Sequence, residues 1–152
     1  MESKIREDYL KELLLKKIDT LEHIKKITAQ AIRVLEEENF EEFQSLLVLR
    51  REGMEESSKI DHEILQEVKG RENFAMVLKE NSEAAMIVSK IREILSKLKE
   101  LDSELNQKAR KLFDELKQKI EEHYKAKEAY MKYRNLHDGY SSQFGFFIDM
   151  KK

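Results

Sequence analysis

Apolar residues return every three or four positions from Ser82 to Asn135, in a run that contains neither proline nor glycine. The stripe reads Ala84, Val88, Ile91, Leu95, Leu98, Leu101, Leu105, Ala109, Leu112, Leu116, Ile120, Tyr124 and Tyr130, with Lys, Glu, Arg and Gln filling most gaps. That period predicts a single amphipathic helix over about 82–135. At about 1.5 Å per residue it could extend roughly 80 Å, so it needs partners along its apolar face. Steps of four and four at Leu101, Leu105, Ala109 and at Leu112, Leu116, Ile120 depart from strict heptads, which favours a nearly straight helix over a long supercoiled zipper.

Two shorter stripes precede it. Ile5, Tyr9, Leu10, Leu13, Leu14, Ile18, Leu21, Ile24, Ile27, Ala31, Ile32, Val34 and Leu35 predict a helix over about 3–38 with a broad buried face. The pattern breaks at Glu37-Glu38-Asn39-Phe40, where Asn39 is a good N-cap and Glu42 three residues later suggests a capping box. A second helix is expected over about 40–69, through Phe43, Leu46, Leu47, Ile60, Ile64 and Val68, with Gly70 at the C-cap position. Its stripe thins between Arg50 and Lys59, where Gly53 costs about 1 kcal/mol relative to Ala inside a helix. That part reads as thin, bent or open to a partner. The turn is so short that the first two helices should form an antiparallel hairpin.

Residues Arg71 to Asn81, with Phe74, Met76, Val77 and Leu78, read as a connector that caps the hairpin or as the first turns of the third helix, whose N-cap is Asn81 or Ser82. The expected architecture is all-α, in one domain over 1–152: an elongated antiparallel three-helix bundle or coiled coil with a long C-terminal helix. A second helix of about 45 Å can shield only the first half of the third, so roughly the last twenty residues should overhang with an apolar face. The tail, 136–152, is expected to be partly flexible. It carries Phe144, Phe146, Phe147 and Ile148 as a docking peptide or as a pin that holds the chain end to the bundle.

Composition narrows the chemistry. Charged residues make up 39% of the 152, with no Pro, Cys or Trp, which suits long helices and removes disulfides and thiolate metal sites. The net charge of -2 is uneven: 8 basic and 6 acidic residues in 1–35, 3 and 11 in 36–67, 18 and 14 in 68–152. Lys and Arg alternate with acids at helical spacing, the pattern of a solvated face, so nucleic acid is not the expected partner. No signal peptide or membrane span is apparent, and a cytoplasmic protein without membrane insertion is expected. His23, His62, His123 and His137 lack metal-ligand spacing; no Glu-x-x-His or His-x-x-x-His occurs. No phosphate loop is present, and pairs such as Glu55-Glu56 read as solvated faces. A non-enzyme without cofactor is expected.

Ala31-Ile32-Arg33-Val34-Leu35 leading into Glu37-Glu38-Asn39-Phe40-Glu41-Glu42-Phe43, then Leu46-Leu47, Arg51-Glu52, Ile60-Asp61 and the closing Phe147-Ile148-Asp149-Met150-Lys151-Lys152, resemble the FlgN/FliT-like flagellar export chaperones. The resemblance covers nearly the whole chain. It implies a type III export chaperone that keeps hook-filament junction or filament-cap proteins unassembled and delivers them to the export gate. The substrate face would be Leu112, Leu116, Ile120, Tyr124 and Met131, and the resemblance implies gate contact through a tyrosine, with Tyr130, Tyr133 and Tyr140 as candidates. The alternative is a non-catalytic coiled-coil self-association or adaptor module, and a homodimer stays open.

Overall fold

The structure, a computed structural model, describes residues 6–138. They form four helices: α1 (Glu7–Glu36), α2 (Phe40–Val68), α3 (Arg71–Glu80) and α4 (Ser82–Asp138). The architecture is an all-helical bundle, and no strand occurs among the described residues. The chain divides into two compact units, Met1–Lys108 and Ala109–Lys152.

In the first unit, α1 buries Leu10, Leu13, Leu14, Leu21, Ile24, Ile27, Ala31 and Ile32, the three-and-four spacing that places one stripe of a helix inward. Its N-cap, Arg6, makes no side-chain cap bond, but Glu7 and Asp8 in the first turn complement the helix dipole. The helix ends in a Schellman motif: the Asn39 N–H donates to the Val34 carbonyl (3.0 Å) and the Glu38 N–H to Leu35 (3.0 Å), with Glu38 left-handed at φ 59°. Asn39 then caps α2, its side chain accepting from the Glu42 N–H at 3.3 Å. Glu42 does not complete the expected capping box, because the Asn39 N–H is already committed to Val34; its carboxylate accepts instead from the Asn39 side-chain amide (3.0 Å).

Cross-helix pairs fix the directions. Arg6 meets Glu67 (2.7 Å), Lys17 meets Asp61, and Arg50 donates to the Thr28 hydroxyl (3.1 Å), so partners descend α2 as they ascend α1, as in an antiparallel hairpin. Lys11–Glu83 (2.8 Å) and Glu36–Lys108 set the beginning of α4 parallel to α1. The core joins Leu10, Leu14, Leu21 and Ile24 to Ile60, Ile64 and Val68 of α2 and to Ala84, Val88, Ile91, Ile94 and Leu98 of α4. Burying each large aliphatic side chain contributes roughly 1.5–3 kcal/mol.

Three expectations change on contact with the structure. Arg71–Asn81 is not the start of the long helix; it is a connector that packs Phe74, Val77 and Leu78 against the core. It holds a separate ten-residue helix, because Asn81 is extended (φ -118°, ψ 103°) and uses its side chain to accept from the Ala84 N–H at 3.1 Å. The left-handed C-cap of α2 is Lys69 (φ 62°) rather than Gly70, which follows at φ 112° and precedes α3. On α4 the core residue is Ile94, 4% exposed, whereas Leu95 is 43% exposed. At about 100° per residue Leu95 falls between Val88 and Ile91, and Ile94 falls at the edge of their arc, so the helical period alone would favour Leu95. It is the packing of Ile94 into the core shared with α1 and α2 that decides the outcome.

Candidate functional site

In the second unit, the described part of α4 carries Leu112, Phe113, Leu116, Ile120, Tyr124, Tyr130 and Met131. At about 100° per residue these fall within an arc of about 120° on one side of the helix. None of residues 109–134 is buried. Leu112, Leu116, Tyr124 and Met131 are half-buried, while Phe113 is 51%, Ile120 56% and Tyr130 60% exposed. The five positions expected to hold a substrate therefore share one face. Phe113 was not part of the sequence stripe; its place beside Leu112, at i, i+3 to Leu116 and i, i+7 to Ile120, is the signal that could have found it.

The face is apolar from Leu112 to Ile120 and becomes mixed beyond it, where His123, Lys127 and Arg134 enter the same arc. Desolvation, with Glu128 adding to it, holds the Tyr124 hydroxyl above the ordinary tyrosine range. Glu128 also pairs with Lys132 at 3.9 Å, an i, i+4 pair that supports the helix locally. Of the gate candidates, Tyr130 shares the arc; Tyr133, 67% exposed, falls outside it. Tyr140 and the tail residues Phe144, Phe146, Phe147 and Ile148 lie outside the described residues.

A second concavity belongs to the first unit. Glu22, Lys26 and Ala29 of α1 and Lys97, Leu101 and Glu104 of α4 line a groove of about 820 Å³. The Lys11–Glu83 and Glu36–Lys108 pairs tie these helices together nearer their ends, while small Ala29 leaves the middle open and Leu101 half-buried. Its rim mixes both charge signs. His23 is exposed at this groove, and a His62 ring nitrogen lies 3.2 Å from the Gln66 amide nitrogen. Among the described residues no group of three His, Asp or Glu side chains could hold a metal ion, and no helix is long and apolar enough to cross a membrane.

Comparison with protein-family models, with curated proteins and with solved structures yields no match. The functional reading therefore rests on the residues and their geometry.

Proposed function

We propose that this chain is a cytoplasmic, non-enzymatic chaperone of the FlgN/FliT-like kind, serving type III export of flagellar proteins. In this reading the hairpin and the beginning of α4 make an antiparallel three-helix scaffold. The face Leu112, Leu116, Ile120, Tyr124 and Met131 receives an amphipathic helix of a hook-filament junction or filament-cap protein, and Tyr130, Tyr133 or Tyr140 contacts the export gate. The carrying observation is the apolar face of α4 from Leu112 to Ile120, continued by Tyr124 and Met131, with no buried member among residues 109–134. A helix-in-groove partner covers such a stripe by matching anchors at i, i+3, i+4 and i+7.

The decisive experiment co-expresses the chain with each flagellar junction and cap protein and measures capture. Leu116→Glu combined with Ile120→Glu should abolish capture of the cognate substrate while leaving the circular-dichroism melt of the core unchanged. Undiminished capture by that variant would overturn the site assignment. A wild-type dimer by light scattering that this variant turns monomeric, with no capture by either, would instead establish self-association.

A further inference from the structure

A different surface, in the first unit, is also left open. The stretch 40–54 of α2 exposes Phe40, Leu47, Val48, Leu49 and Met54. Phe40, Leu47 and Met54 recur every seven residues and so form one column along the helix, the seam spacing by which one helix seats another. About 100° round the helix, past Gln44 and Arg51, a second column at the same spacing holds Glu41, Val48 and Glu55, and Glu52 follows on its far side. All three glutamates are exposed, and among the described residues none of them is ion-paired. Arg50 lies on the opposite side of α2 from them, drawn inward by Asp102 and Thr28, and Arg51, between the two columns, is the cation of this surface. The segment 36–67 as a whole holds 11 acids against 3 bases.

From this arrangement we infer that α2 is a docking surface for a cationic amphipathic helix of another protein. Apolar side chains of that helix would cover Phe40, Leu47 and Met54, while its flanking Lys or Arg meet Glu41, Glu52 and Glu55. Opposite charges at the rim steer and orient such a partner, and the apolar column holds it. This surface is distinct from the α4 face and does not depend on the chaperone reading.

The test titrates the full chain, isotopically labelled for NMR, with an 18-residue amphipathic peptide of Leu and Lys. Two controls accompany it: the same peptide with Glu in place of Lys, and a scrambled Leu/Lys isomer without an apolar face. The inference expects shifts concentrated at residues 40–55 with the amphipathic cationic peptide, weakening with salt. It expects affinity to fall at least about tenfold in Leu47→Glu/Met54→Glu and to fall also in Glu41→Lys/Glu55→Lys. The second variant changes only solvated side chains and keeps the test sharp if the first loses helicity. Equal binding of either control peptide, shifts centred on 109–138, or indifference to the charge reversal would each overturn it. So would light scattering that shows a dimer abolished by Leu47→Glu/Met54→Glu, which would give the surface to a second copy.

Discussion

At Gly53 the hairpin leaves no room for a methyl group: a Cβ built there would stand 2.9 Å from Cγ1 of Ile24. From sequence this glycine reads as a local weakness of α2, since it costs about 1 kcal/mol of helix propensity. In the folded protein it sets the approach of α2 to α1, and Ile24 is β-branched and held in the core, so it yields poorly. Gly53→Ala should therefore fail to stabilise the wild type, yet it should stabilise the Ile24→Ala background by about 1 kcal/mol, where the obstructing atom is gone. Urea denaturation of the four members of this cycle measures the coupling; equal effects in both backgrounds would remove the steric account. Lys69 poses the complementary case, a side chain held at φ 62° where glycine is unstrained. Lys69→Gly should raise stability by about 1 kcal/mol in the same assay.

At the scale of helices, the stretch that looks thin in sequence is where charge and hydroxyl groups tie the elements together. Lys17, almost fully buried, reaches the Ser57 hydroxyl (3.3 Å) and Asp61, while Arg50 links Thr28 of α1 to Asp102 of α4. The break between α1 and α2 and the Asn39 cap are legible because periodicity and capping are local. These polar ties are not, because their partners lie 22 to 52 positions apart in the chain. The same reason hides the groove between α1 and α4. The apolar face of Leu112, Leu116 and Ile120 is legible as a stripe, whereas its exposure depends on which helices reach it.

The exposed Lys11–Glu83 pair gives this scale its prediction. The hydrogen bond from Lys11 lowers the Glu83 carboxyl below its ordinary range, and Glu83 raises Lys11 above its own. The contribution of Glu83 is thus present above the ordinary carboxylate range and disappears as pH falls through its lowered value. That of Lys11 is present below the ordinary lysine range and disappears as pH rises through its raised value. Glu83→Gln should be slightly less stable than wild type at pH 7 and equal to it near pH 2, by chemical denaturation. A difference that persists undiminished in acid would assign the effect to packing at the start of α4.

For the molecule as a whole, the distribution of buried residues predicts how it comes apart. Every buried hydrophobic side chain among the described residues lies between Leu10 and Leu105, inside the unit Met1–Lys108. Residues 109–134 are helical without a buried member, and helix in that situation rests on propensity and on pairs such as Glu128–Lys132. Such pairs contribute only a few tenths of a kcal/mol each, and a helix without tertiary packing is marginal in water. Backbone amides of 109–134 should therefore exchange by local opening well before those of α1, α2 and residues 84–105, whose exchange should approach the free energy of global unfolding. A chain ended after Lys108 should keep the cooperative melt of the full protein within a few degrees, because the removed residues supply none of that core. Hydrogen exchange read residue by residue, with a melt of the shortened chain, tests both statements. Strong protection across 112–124 in the isolated wild type would mean that this face is covered in solution, and the proposed substrate surface would have to be given up with it.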